Sequence, residues 1–222
     1  MNVGFLVFPG MTLLDMAGAL EPLALIPGST VHLAWKSKDP IKTDRGHALV
    51  PSVTFEDCPA LDVICVPGGM GQAPHVFDPE VQAFLKRHGE AASWVTSVCT
   101  GAFFLAAAGL LEGYKATCHW AFRHHLQKFG VETVNARIVK DRNRISVGGV
   151  SSGIDLGIAL AAEIAGEPRA RTIQLAIEYD PQPPFDSGSP SRATDIEVAE
   201  VCAALSEGLP PEFAVDPKDV VV

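Results

Sequence analysis

The chain lacks an apolar run long enough to cross a bilayer. Its longest stretch, Ala102 to Leu111, is broken by Gly109 and falls well short of the roughly 20 residues a spanning helix needs. The first residues, MNVGFLVFPG, lack the basic start and small-residue cleavage site of a secretory leader and read instead as a first core strand. These absences point to a cytoplasmic protein with no membrane partner. No C-x-x-C pair occurs among the five cysteines, Cys58, Cys65, Cys99, Cys118 and Cys202. Their odd number and wide spacing exclude a disulfide framework and a zinc knuckle, and reduced thiols are expected. Lys and Arg number 17 against 26 Asp and Glu, a net charge of -9, and they are scattered along the chain. A nucleic-acid partner would call for a basic stripe, so none is expected. Phosphate loops, dinucleotide-binding glycine patterns, the H-E-x-x-H zinc motif, internal repeats and low-complexity tracts are all missing, and neither a metal nor an organic cofactor is expected.

What is present is a chain of 222 residues, 47% of them apolar, with no composition shift before residue 180. That suits one large α/β domain over residues 1–190, followed at 191–222 by a helix and tail packed on the same domain or at a dimer interface. Val3 to Phe8 is a β-branched and aromatic run closed by Pro9-Gly10, the pattern of a strand buried on both faces. Thr12 to Leu25 reads as a helix stopped by Pro27-Gly28, and Thr30 to Trp35 as a second strand. Leu61 to Val66 is another apolar strand, turned by Pro67-Gly68-Gly69-Met70-Gly71 before a helix from Pro79 to Gly89. Trp94 to Val98 is a strand and Gly101 to Leu111 a helix. Ala121 to Phe129 has helical composition, and Val131 to Asn135 follows it. Arg137 to Lys140 and Arg144 to Val147 form a hairpin around Asp141-Arg142-Asn143. Helices at Ile154 to Ala165 and Arg169 to Tyr179 complete the pattern, the second opened by Pro168. Beyond the extended surface segment PQPPFDSGSPS, Ala193 to Leu209 forms a last helix outside the core. Alternating strands and helices give an α/β fold with a mainly parallel sheet covered on both faces, in which Val3–Phe8, Leu61–Val66 and Trp94–Val98 are neighbours ending at one site.

Cys99 lies where strand gives way to helix through Cys99-Thr100-Gly101-Ala102. A thiol there faces a helix N-terminus, which favours the thiolate and makes this cysteine the candidate nucleophile. The other reading of a lone cysteine, a buried structural thiol, is assigned to Cys65 and Cys118. Gly68 and Gly69 end the neighbouring strand, and their N–H groups with that of Thr100 offer an anion hole; a plain tight turn is the alternative. Asp15 stands in an apolar stretch at the start of the first helix, where a carboxylate either caps the helix or does acid–base work. Gly149-Val150-Ser151-Ser152-Gly153 matches the serine elbow G-x-S-x-G. The triad order needs a histidine after the serine, and the last one is His125, so the match reads as a small-residue turn beside the site. His119, His124 and His125 read as surface or interface residues, with His119-Trp120 shaping a pocket wall.

Taken together, Leu14-Asp15-Met16-Ala17-Gly18, Asp62 to Gly69, Thr96 to Gly101, Ala116 to Trp120 and Gly148 to Asp155 resemble the ThiJ/PfpI superfamily, of class I glutamine amidotransferase type, over residues 1 to about 190. Within it the wording is most similar to the isocyanide hydratases. The resemblance implies a flavodoxin-like sandwich, a homodimer and addition of water to an isocyanide to give an N-substituted formamide, with no cofactor. It assigns Cys99 as nucleophile, Asp15 as general acid/base and Thr100 as their assistant, with Gly68, Gly69 and Val150 at the substrate. Thr100 stands where peptidase members carry histidine, and Asp15 where many relatives carry glutamate. A further branch fuses this domain to an AraC-type DNA-binding module, so the alternative is a ligand- or redox-sensing domain with a vestigial cysteine. No helix-turn-helix is expected before Val222.

Overall fold

In a computed structural model, residues 1–207, 209 and 213–220 are described. The chain runs β1 (Asn2–Leu6), α1 (Leu13–Ala24), β2 (Thr30–Trp35), a small hairpin of β3 (Ile41–Lys42) and β4 (Ala48–Leu49), β5 (Val53–Thr54), β6 (Val63–Val66), α2 (Pro79–Ala91) and β7 (Trp94–Val98). It continues through α3 (Ala102–Ala107), β8 (Lys115–Ala116), β9 (Glu132–Thr133), β10 (Ile138–Asp141), β11 (Arg144–Val147), α4 (Ser152–Ala165), α5 (Glu167–Ala176) and α6 (Asp195–Ser206).

Seven strands form one sheet in the order β10-β11-β7-β6-β1-β2-β5, parallel except for β10. The three apolar strands expected to be neighbours are neighbours, in register Val3↔Val63 and Ile64↔Val95. Their side chains are buried on both faces because α1 and α4 pack together on the sheet, as do α2 and α3. That burial is why β6 tolerates no polar residue. This is the flavodoxin-type α/β sandwich.

Local chemistry sets the ends of the elements. Asp78 caps α2 by accepting the N–H of Glu80 at 2.9 Å, and Pro79 occupies the first turn. The helix expected to reach Leu111 stops at Ala107 because Gly109 turns at φ +73°. The expected helix at Ala121–Phe129 is a 3-10 turn over Arg123–Phe129, closed by Gly130 at φ +71°. Between α1 and α4 the backbones approach so closely that a Cβ on Gly153 would lie 2.9 Å from the Asp15 carbonyl oxygen.

The helix expected outside the core at Ala193–Leu209 spans Asp195–Ser206 and is not wholly outside it. Cys202 and Val215 are buried, and the Phe213 ring meets His125 at 5.7 Å. Of the C-terminal segment, residues 208, 210–212 and 221–222 lie outside the described residues. Among the described residues no helix is long and apolar enough to cross a membrane.

Candidate active site

The parallel sheet delivers three chain reversals to one edge: the exits of β1, β6 and β7. At the last, Cys99 has φ +56°, the left-handed region that a residue with a Cβ enters at a cost of about 1–2 kcal/mol. The strain lifts the thiol off the strand line, and the Cys99 N–H is held by the Gly148 carbonyl at 2.8 Å. The side chain is 6% exposed, at the floor of a cavity of about 530 Å³.

At the β1 exit, Thr12 occupies the N-cap position of α1, and Asp15 falls three residues later, fully buried. The capping alternative for Asp15 is thereby excluded. Its Oδ2 accepts the N–H of Gly68 at 2.9 Å, 53 residues away. Oδ1 is buried without a hydrogen-bond partner, and the Cys99 thiol lies close enough to the carboxyl group to stabilise its charged form. Burial pushes the Asp15 carboxyl up to about 7, against the lowering effect of the Gly68 N–H and the thiol.

Burial and the adjacent Asp15 charge also push the Cys99 thiol well above its usual range, although the Thr100 N–H and hydroxyl pull it down. The expected standing thiolate is therefore corrected. Behind Cys99 stand only a three-residue 3-10 turn and the six-residue α3, and their end charge is outweighed by desolvation and a carboxylate neighbour. At neutral pH the Cys99 thiol keeps its proton, and the Asp15 carboxyl, near the midpoint of its titration, stands beside it partly in the ionised form that can accept that proton.

The anion hole is corrected too. The Gly68 N–H is taken by Asp15, and the Gly69 N–H donates to Thr100 Oγ1 at 3.1 Å. These bonds lock the β6 exit to both α1 and the cysteine turn. Glycine is required at 69: its φ is +144°, and a Cβ there would sit 2.6 Å from the Gly10 carbonyl oxygen.

Leu14, Ala17, His119, Phe122, Val150 and Leu205 line the cavity above the thiol. Val150 reaches it from the turn before α4, while Leu205 arrives from a segment that carried no signal for it. His119 Nδ1 accepts the Ala121 N–H at 3.3 Å, and burial lowers the ring to about 4, so it is neutral at pH 7. Of the histidines expected at the surface or an interface, His125 is buried within the chain, and its ring centroid lies 3.8 Å from that of half-buried His124. Ser151 is exposed and its Oγ accepts from Arg137 at 3.3 Å, so the G-x-S-x-G match is a turn and not a nucleophile. Ser152 Oγ closes that turn onto the Gly149 carbonyl at 2.7 Å. Among the described residues no group of three or more His, Cys, Asp or Glu is placed to hold a metal ion.

This elbow has known counterparts, for the DJ-1/PfpI family model matches residues 1–163. The chain belongs to the DJ-1/PfpI family. Isonitrile hydratase of Pseudomonas putida is 46% identical over 200 residues, which cover 90% of this chain and 88% of that protein. The HTH-type transcriptional regulator GbdR of Pseudomonas aeruginosa is 28% identical over 188 residues, 81% of this chain but 51% of the regulator. A ThiJ/PfpI family protein from Pseudomonas syringae superposes with a TM-score of 0.88 at 42% identity, covering 99% of this chain and 88% of that one. DJ-1beta of Drosophila melanogaster, at 20% identity, TM-score 0.74 and coverage of 80% and 97%, shares the fold.

Proposed function

We propose that this DJ-1/PfpI member is an isocyanide hydratase, a cysteine-dependent hydro-lyase that converts an isocyanide and water to an N-substituted formamide. The observation that carries the reading is the buried Asp15 carboxyl beside the Cys99 thiol in its strained turn, with burial disfavouring the charged form of both groups. Similarity to the P. putida isonitrile hydratase supports it. The terminal carbon of R–N≡C is unusual in needing both a nucleophile and a proton at the same atom. Asp15 takes the thiol proton as sulfur attacks that carbon, then delivers it there, giving the thioimidate R–N=CH–S–Cys99. Water adds to the same carbon with Asp15 as base, and its proton goes to nitrogen. Collapse of the tetrahedral adduct returns the hydroxyl proton to sulfur through Asp15, breaks the C–S bond and releases R–NH–CHO. No thiolate needs to stand at rest, which suits a thiol held above its usual range.

Thr100 acts as a positioning residue: its hydroxyl takes the Gly69 N–H, and its own N–H steadies the sulfur. A sensing domain, the alternative reading, has no use for an acid–base carboxyl beside its thiol. We also propose a homodimer, whose interface would cover the exposed Leu175, Phe185 and Ile196. The function is tested by formamide production from cyclohexyl isocyanide: wild type makes it, Cys99→Ala does not, and Asp15→Asn is slower by at least about 100-fold. Equal rates in wild type and Cys99→Ala refute the reading.

A further inference from the structure

The loop that brings Gly68 and Gly69 to the elbow continues into a 3-10 turn, Met70–Gln72, and leads away from the thiol. Met70 and Phe122 line the Cys99 pocket on one side and a second cavity, of about 280 Å³, on the other. Phe122 is buried and fixed, whereas Met70 is 41% exposed and unbranched, so it is the movable part of the shared wall. Phe77, Phe103, Phe129 and Phe213 complete the second cavity. Phe129 stands 6.4 Å from Phe77 and 6.1 Å from Phe103 between ring centroids, a set of aromatic faces and edges suited to one more planar ring.

Two polar groups interrupt this apolar lining. Gln72 Oε1 is buried without a hydrogen-bond partner, and so are both ring nitrogens of His125, a residue 5% exposed. The backbone at Phe213 approaches the imidazole without closing a hydrogen bond of regular geometry. Unpaired buried polar groups oppose folding, and in the wall of an apolar cavity they are the features that orient a ligand. An aromatic hydroxyl has the chemistry to pair with these groups, its O–H donating to Gln72 Oε1 and its oxygen accepting from the one ring N–H of a neutral His125.

We propose that this cavity receives the far end of an N-substituent long enough to pass Met70, a cyclohexyl ring staying in the Cys99 pocket, and that the preferred substrates are isocyanides ending in a single hydroxylated aromatic ring. The inference rests on the hydratase reading. The isocyano group is linear, so as its terminal carbon approaches Cys99 the substituent lies on the far side of the nitrogen from the thiol, and the wall formed by Met70 and Phe122 is the one the two cavities share.

Steady-state kinetics on cyclohexyl, 2-phenylethyl and 2-(4-hydroxyphenyl)ethyl isocyanide test it. In wild type the hydroxylated substrate has a kcat/KM at least about 10-fold above its phenyl analogue, and Gln72→Leu erases that preference. Ala73→Trp, which fills the second cavity from an exposed position off the Cys99 pocket, raises KM for both aryl substrates by about 10-fold or more and spares cyclohexyl isocyanide. If Ala73→Trp does not fold, Phe77→Ala, which removes an exposed wall of the same cavity, reports the same selective loss. Equal treatment of all three substrates by wild type, or variants that move cyclohexyl and aryl substrates together, overturns the inference while leaving the hydratase reading intact. If none of the three is hydrated, the hydratase reading fails and this inference fails with it.

Discussion

Replacing Asp15 by asparagine separates what the carboxyl does for catalysis from what it does to stability. The folded carboxyl keeps its proton up to about pH 7, whereas its ordinary value is 3.8. Across that window the native state binds more protons than the unfolded state, so stability falls as pH rises through it. At about 1.4 kcal/mol per pH unit over roughly three units, holding Asp15 ionised at pH 8 costs the native state about 4 kcal/mol. Asparagine is isosteric and carries no such penalty. Its Oδ1 can still accept the Gly68 N–H, but its NH₂ then faces the Cys99 thiol without an acceptor, at about 1–3 kcal/mol. Asp15→Asn is therefore expected to be more stable than wild type by about 1–3 kcal/mol at pH 8, with the advantage shrinking by about 3 kcal/mol on going to pH 4.5. Urea unfolding followed by tryptophan fluorescence at the two pH values measures it. A difference between variant and wild type that does not change with pH would show that burial does not hold the Asp15 proton, and the acid–base assignment would fall.

Four further outcomes follow from the same geometry. The ionised form of Asp15 accepts the thiol proton, so log kcat/KM for cyclohexyl isocyanide rises with unit slope as pH increases to about 7 and then levels; a flat profile from pH 5 to 8 contradicts this. Thr100→Val leaves the buried Gly69 N–H without its acceptor and destabilises by about 1–3 kcal/mol in chemical denaturation, while Thr100→Ser restores it. Because Cys99 sits at φ +56°, Cys99→Gly is at least as stable as Cys99→Ala despite glycine's greater freedom when unfolded; a clear deficit would mean the turn stores no strain. If the proposed homodimer forms, sedimentation equilibrium gives twice the 23.5 kDa chain mass and Phe185→Asp with Ile196→Asp shifts it toward one; a single chain mass for wild type refutes the dimer.

The elements that were legible in the sequence are those whose cause is local. Pro79 after Asp78 announces α2, the apolar Val63–Val66 announces a strand covered on both faces, and the small residues after Val98 announce the elbow. Partners distant in sequence were not legible. Asp15 reads locally as a helix cap, and nothing near it announces the Gly68 N–H that fixes its carboxyl. The N–H groups of Gly68 and Gly69 read as free donors until Asp15 and Thr100 are seen to occupy them. A cysteine at a helix start suggests a low pKa, but the sum of burial and the Asp15 charge appears only when both are placed in space. Leu205 and Phe213 follow a polar, proline-rich segment, and their approach to the cavities depends on where the chain returns.

The covalent intermediate is the centre of the account, and it is read most directly by mixing enzyme with excess cyclohexyl isocyanide, quenching in acid within milliseconds to seconds and measuring intact mass. A single added isocyanide mass that maps to the peptide containing Cys99, decays as formamide appears and is absent from Cys99→Ala is the predicted result. Formamide release at the wild-type rate with no adduct at any quench time, or an adduct that persists in Cys99→Ala, contradicts it.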